Sequence, residues 1–213
     1  MSEIFEEAQE GYKQEYLRSE KAQKLIAQGK TPDPEQSWKG FKGKNFEKLI
    51  LYSIQSELTT ERIRCIPGFL LSRKRLSEEL SKVYRNLLIR YGRFSILPDA
   101  DLVVYEPSTC RIMGIISCKI TLRERIAQTA YWKLKLASDP ATMHIKGWFI
   151  TTDEDGDLVR GLDEPSKRGA VRNRIIVEHD LDGTYTLRQA SESDRVKSFP
   201  KLIDDLRRLA NGE

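Results

Sequence analysis

Three short stretches carry residues that could do chemistry together. They are a lysine ending an apolar run in "GIISCKI" (Lys119), an aspartate opening another in "LPDADLVVY" (Asp99 or Asp101), and a glutamate in "GKNFEKLI" (Glu47). A carboxylate that holds Mg²⁺ beside an ammonium group suits phosphodiester hydrolysis. The cation polarises the phosphate and acidifies a bound water, while the lysine orients that water or stabilises developing charge. No histidine is required, and His144 and His179 stand isolated, without the grouping of a metal centre. A simpler reading of Asp101 and Lys119 also stands: an ordinary ion pair on a hairpin whose aspartates cap a strand.

Particular elements must bring these residues together. Residues 100–120 read as two Val- and Ile-rich strands joined by a Pro-Ser turn. Side chains alternate along a strand, so Ser117 and Lys119 share one face and Cys118 takes the other. Hairpin pairing delivers Asp99 or Asp101 to Lys119. Asp101 is favoured because it directly precedes the apolar run Leu102 to Tyr105, with Asp99 as the alternate. From Asn45, Ile50, Leu51, Ile54 and Leu58 recur at helical spacing. Glu47 falls on that apolar side, a costly place for a carboxylate unless something binds it.

Around this nucleus, the first 26 residues read as a helical arm and 27–45 as a Gly- and Pro-containing break. Residues 76–92 read as a helix, 144–152 and 174–179 as strands, and 153–157 as an acidic loop. The last sixteen residues, from Ser198, read as an amphipathic helix. This order predicts an α/β or α+β domain. Trp38 falls in the polar break, where an exposed aromatic marks a contact surface, and Tyr131 and Trp132 read as core or dimer contacts.

With 213 residues the chain has room for a full sheet with helices packed on it. It is 32% charged and 39% apolar, with no run of the length a membrane span needs. Its start is acidic and helical, unlike a secretion signal, so a cytoplasmic location is expected. Cys65, Cys110 and Cys118 lack paired spacing, which suggests reduced thiols and neither a disulfide framework nor a zinc site. The net charge of +4 is unevenly spread: between Arg62 and Arg93 nine Lys or Arg face only Glu78 and Glu79. That clustering fits a surface that neutralises nucleic-acid phosphates, and a solvated helical face remains the alternative.

The helix glutamate of "FEKLI", the strand-leading aspartate of "PDADLVVY" and the lysine of "SCK" together resemble the PD-(D/E)xK nuclease superfamily. The position two before the lysine is Ser117 instead of an acid. The same Ser-x-Lys form occurs in the branch of restriction endonucleases that read CC and GG base pairs, where a glutamate thirteen residues after the lysine compensates. Here that position is Trp132, so Glu47 must compensate or the site has fewer carboxylates than usual.

After Lys119, "TLRER" has the form of a capping box from Thr121 to Glu124, with Arg123 and Arg125 in the first helical turn. The helix dipole disfavours arginines there by some tenths of a kcal/mol each, roughly. DNA supplies a reason for them. Arginine can bond guanine O6 and N7 bidentately and glutamate can accept from cytosine N4. Capping by Glu124, with Arg123 and Arg125 on phosphates or solvent, is the competing reading.

The stretch "ISCKITLRERIAQTAYWKLKL" resembles the BsaWI family most and the EcoRII catalytic domain more distantly, a likeness covering residues 36–137. The resemblance implies an α/β fold with a central mixed sheet flanked by helices, preceded by an N-terminal helical arm (1–35) and comprising one catalytic and DNA-recognition domain (36–213). It implies a homodimer that cuts double-stranded DNA with Mg²⁺ at a short palindrome containing CC/GG, and a cognate methyltransferase. Asp101, Glu47 and the Cys118 carbonyl are then the expected metal ligands, Lys119 the catalytic amine, and Arg123, Glu124 and Arg125 the base-reading residues. A repair or structure-specific endonuclease of the same fold, an inactive DNA-binding module and a helical interaction protein are the rival readings.

Overall fold

The computed structural model describes residues 2–58, 62–162 and 170–211, the side chains of residues 2–8, Glu124, Ala170 and Val171 excepted. The chain divides into two compact units, Met1–Phe46 and Glu47–Glu213.

The first unit holds α1 (Ser2–Arg18), α2 (Glu20–Ala27) and the opening turns of α3 (Pro34–Glu57). Ser19 caps α2 by accepting the Ala22 N–H at 3.3 Å. Tyr12 packs its ring 5.3 Å from Trp38 and 4.4 Å from Phe41, and its hydroxyl lies 2.9 Å from Ser37 Oγ. Residues 34–45 are thus helical, not a break, and Trp38 is 6% exposed instead of displayed. The cause is local: Pro34 supplies a helical φ at the first position, and the Asp33 carboxylate accepts the Gln36 N–H at 2.9 Å. Two glycines further on are not enough to undo that start.

The second unit is built on a mixed six-stranded sheet in the order β1-β4-β5-β6-β7-β8. Its elements, after α3, are β1 (Arg64–Pro67), a 3₁₀ turn (Gly68–Ser72), α4 (Glu78–Leu87), β2 (Ile89–Tyr91), β3 (Phe94–Ile96), β4 (Leu102–Glu106) and β5 (Arg111–Lys119). Then follow α5 (Arg123–Ala137), β6 (Lys146–Thr151), α6 (Ala170–Asp180), β7 (Gly183–Thr186), β8 (Val196–Ser198) and α7 (Pro200–Asn211). β4 pairs antiparallel with both β1 and β5, and β5 to β8 are mutually parallel. β2 and β3 form a separate hairpin. The fold is therefore the expected mixed α/β arrangement, and the run Leu102–Tyr105 is buried throughout because β4 lies inside the sheet. One apolar cluster joins α4 to β4 and β5 through Val83, Leu87, Val103 and Ile112, and another joins α5 and α6 to β6 through Ile126, Val177 and Phe149.

Two element assignments differ from the sequence reading. The helix expected over 76–92 ends at Leu87, and Ile89–Tyr91 is a strand whose β-branched Ile89 is buried. Residues 174–179 lie in α6, not in a strand. Arg174, 2% exposed, bonds Glu178 one turn on at 2.6 Å and the Leu158 carbonyl at 3.1 Å, contacts that override the strand preference of "IIV". Among the described residues no helix is long and apolar enough to cross a membrane.

Candidate active site

The β4–β5 hairpin sets the centre of the site. Its turn closes with the Cys110 N–H donating to the Glu106 carbonyl at 2.8 Å, and its register pairs Leu102 with Ile116. One residue before β4, the Asp101 N–H still donates to the Ile116 carbonyl at 3.0 Å. The Asp101 carboxylate then points at the end of β5, where Lys119 Nζ donates to both of its oxygens at 2.8 and 2.6 Å and the Cys118 N–H donates to Oδ2 at 2.7 Å. Ile116 and Cys118 are two apart on one strand and turn their backbone groups to the same side, so the Cys118 carbonyl also faces the Asp101 end of β4. Asp99 is engaged elsewhere, accepting from Gln128 Nε2 of α5 at 2.9 Å.

Gly68 locks the other flank of Asp101. Its N–H donates to the Asp101 carbonyl at 2.8 Å, and a Cβ there would stand 1.9 Å from the Ala100 carbonyl oxygen. Only glycine allows so close a backbone approach.

Glu47 reaches the same place from α3, where the buried Ile50 and Ile54 fix the helix face. Glu47, Asp99 and Asp101 line one cleft of about 350 Å³, together with Phe69 and Ser72. The Cys118 thiol, on the opposite side of its strand from Lys119, has its pKa raised well above the ordinary value by burial, then by the charges of Asp101 and Glu47. Both carboxylates therefore contribute to the field at this thiol. Cys118 is a buried neutral thiol, and its carbonyl is the group suited to a cation. Among the described residues no group of three or more His, Cys, Asp or Glu side chains gathers as a metal-binding cluster. Two carboxylates and a peptide carbonyl do fit Mg²⁺, which takes few protein oxygens and keeps several waters.

Trp132, at the position where the compensating acid was sought, packs against the α4–β5 apolar cluster. Its indole N–H is buried without a hydrogen-bond partner. Tyr131 is partly exposed and shares a 3.0 Å hydroxyl contact with Tyr91.

The Arg-Glu-Arg triplet does open α5, but without the expected capping box: the residue before the helix is Leu122, and no side chain caps it. Arg123 sits at φ 34°, a left-handed conformation that takes it out of regular helix geometry. Its Nε and Nη2 donate to Asp155 Oδ2 and Oδ1, each at 3.2 Å. This carboxylate offsets the dipole penalty that the sequence reading assigned to DNA alone. Asp155 is carried by the acidic loop after β6, which Asp153 pins by accepting the N–H groups of Asp157 and Leu158 at 2.9 and 3.0 Å. Arg125 is exposed on the same turn, and the Glu124 side chain lies outside the described residues. Asp155, Gly68 and Phe69 were not singled out from sequence. For Asp155 the signal was present, because a loop after a strand parallel to β5 must emerge at the edge where Lys119 ends.

The chain is similar to restriction enzymes over nearly its whole length. It is 34% identical over 214 residues to MjaVIP of Methanocaldococcus jannaschii, assigned as a type II restriction enzyme, with 97% of this chain and 91% of that protein covered. HpyAORF263P of Helicobacter pylori, assigned likewise, is 35% identical over 116 residues, which cover 54% of this chain and 60% of that protein. Two solved structures share the fold. Restriction endonuclease BsaWI in a pre-specific complex with DNA gives a TM-score of 0.53 at 16% identity, covering 94% of this chain and 73% of its own. Restriction endonuclease PspGI with substrate DNA gives 0.54 at 15% identity, covering 99% and 76%. The class defined in this way is the type II restriction endonucleases, enzymes that cleave DNA at specific sites. Within it, the chain belongs to the BsaWI restriction endonuclease type 2 family, whose sequence model matches residues 79–208. The matched stretch contains Asp101, Lys119 and the Arg-Glu-Arg triplet, whereas Glu47 precedes it.

Proposed function

We propose that this endonuclease is Mg²⁺-dependent, has a PD-(D/E)xK-type site, and acts as a homodimer on a short palindromic duplex containing CC and GG. The observation that carries the reading is the shared cleft. Glu47 from a helix and Asp101 from a strand start line it together, and the Lys119 amine sits on Asp101. Asp101, Glu47 and the Cys118 carbonyl would hold the cation. The chemistry that Mg²⁺ supplies when bound is polarisation of the scissile phosphate and acidification of a water. Lys119 Nζ donates a hydrogen bond to the attacking water or to the developing phosphorane charge. Asp101 keeps that amine in place, and the Cys118 N–H fixes the Asp101 carboxylate in turn.

Arg123, Glu124 and Arg125 read bases from the first turn of α5, beside the C-terminal end of β5. A bidentate arginine contact to guanine gives roughly 1–3 kcal/mol of discrimination. A palindrome asks for two copies related by a dyad, hence the homodimer. An enzyme that cuts a short frequent site also requires a cognate methyltransferase to protect the host's own DNA.

The test is digestion of a sequenced plasmid with Mg²⁺, with EDTA, and with Mg²⁺ restored, followed by mapping of the fragment ends. Discrete fragments ending at CC/GG palindromes, lost in EDTA and regained with Mg²⁺, are expected. Cutting that is unaffected by EDTA refutes the metal assignment, and ends at a different fixed sequence refute the CC/GG assignment.

A further inference from the structure

At the opposite end of β5 lies a second cleft, unrelated to the cutting site. Arg111 begins the strand that Lys119 ends, and eight residue steps of roughly 3.3 Å place them on the order of 26 Å apart. The cleft is about 450 Å³ and is lined by Arg85 of α4, Arg90 of β2, Arg111 and His144, with Asn86 and Ser95 between them. None of its lining residues is Asp or Glu.

Two acids on or beside the elements that carry these arginines have other hydrogen-bond partners, although Glu78 also feels the charge of Arg85. Glu106, opposite Arg111 in the β4–β5 register, accepts the Thr109 hydroxyl, and Glu78 pairs with Lys82 at 2.8 Å. Arg64, Arg123, Arg174 and Arg207 each meet a carboxylate. By contrast, among the described residues no ion pair or side-chain hydrogen bond engages Arg85, Arg90 or Arg111. His144, which lines the same cleft, has its pKa pushed below the ordinary value by burial and then by the charge of Arg111. Three fork-shaped donors around one concavity repel one another in the absence of an anion and match the oxygens of a phosphate when one is present.

We propose that this cleft is a second phosphate-binding site, in which Arg85, Arg90 and Arg111 grip phosphate oxygens by charge-assisted hydrogen bonds. The phosphate is supplied either by a free phosphate compound or by the backbone of duplex DNA away from the scissile bond. The cleft volume accommodates more than one phosphate group.

The experiment uses the full chain in EDTA and two probes, inorganic pyrophosphate and a short duplex lacking CC/GG. The native protein is compared with Arg90→Ala/Arg111→Ala and with Arg85→Ala/Arg90→Ala. All three arginines are exposed, and thermal melting verifies that each variant is folded. If the source is free phosphate, both variants bind pyrophosphate at least about tenfold more weakly. If the source is backbone, the slope of log affinity for duplex against log salt falls by up to roughly two units, at about 0.9 per phosphate contact removed. Either result supports the site. Unchanged pyrophosphate affinity together with an unchanged salt slope overturns it, as does loss of pyrophosphate binding in Lys119→Ala, which would place the anion in the cutting cleft. Neither probe is cleaved in EDTA, so a negative result leaves the proposed cleavage intact, and absence of cleavage leaves this site intact.

Discussion

Replacing Lys119 by methionine should move metal affinity and catalysis in opposite directions. Lys119 Nζ donates to both Asp101 oxygens, and the two side chains are 28% and 14% exposed, so the pair is partly desolvated. Its contribution is about 1–2 kcal/mol, above that of an exposed pair and below the cost of breaking a fully buried one. Methionine keeps the apolar stem and leaves Asp101 held by the Cys118 N–H. At about 2–4 °C per kcal/mol for a chain of this size, the melting temperature falls by about 2–8 °C. Cation binding strengthens, because a divalent ion no longer competes with an amine for the same two oxygens. The same 1–2 kcal/mol corresponds to about 5–30-fold in affinity. Calorimetric titration with Mn²⁺ in the absence of DNA measures it, and added Mg²⁺ should raise the variant's melting temperature more than the native protein's. Plasmid cleavage meanwhile drops by at least about 100-fold, for want of the amine that meets the developing charge. Weaker cation binding by the variant, or cleavage at the native rate, refutes the reasoning.

Gly68→Ala places a methyl group 1.9 Å from the Ala100 carbonyl oxygen, so the backbone must part beside Asp101. A loss of about 2–4 kcal/mol in chemical denaturation is expected, with reduced cleavage where the variant remains folded, and an unmoved midpoint contradicts the close approach. Arg123→Lys keeps the charge but not the fork held by Asp155, so discrimination between the preferred site and a single-base variant falls by about 5–150-fold, the equivalent of 1–3 kcal/mol. Equal discrimination by both proteins removes Arg123 from base reading. Asp182 is opposed by burial, but Lys133 at 2.8 Å and the Gly147 N–H at 2.8 Å outweigh it and hold the carboxyl below its ordinary value. Stability from a lowered carboxyl is present above the unfolded value and is lost as pH falls through the folded one. The native melting temperature therefore drops below about pH 5, while Asp182→Asn melts lower at pH 7 and converges on the native protein in acid; parallel curves contradict the assignment.

The parts of the site that were legible in the sequence are those whose geometry is local. Two Val- and Ile-rich runs joined by a short Pro-Ser turn fix a hairpin, and a hairpin leaves Asp101 few places to go other than the end of β5. Glu47 was legible because four apolar residues fixed which side of α3 it occupies. The errors arose where a short-range signal met a stronger one. In α3, capping by Asp33 and Pro34 prevailed over two glycines. In α6, a buried arginine with a carboxylate one turn away prevailed over three β-branched residues. β1, β7 and β8 were missed because strands of three or four residues, with partners far off in the chain, leave little periodicity to detect.

What the sequence hid follows from the parallel register of β5 and β6. Lys119 pairs with Thr151, so the segment after Thr151 must leave the sheet where α5 begins, and hydrogen bonds from Thr151 and Thr152 to the Ile120 carbonyl keep it there. The acidic loop is thereby obliged to face Arg123, although thirty-two residues separate Arg123 from Asp155. Arg111 stands at the other end of β5 from Lys119. Proximity of cation and carboxylate at one edge is thus a consequence of one strand pairing, whereas the arginines at the other edge are brought together by α4 and β2 as well as β5. A phosphate near Lys119 meets a site already holding negative charge, whereas the cleft at Arg111 is lined by three guanidinium groups and by no carboxylate.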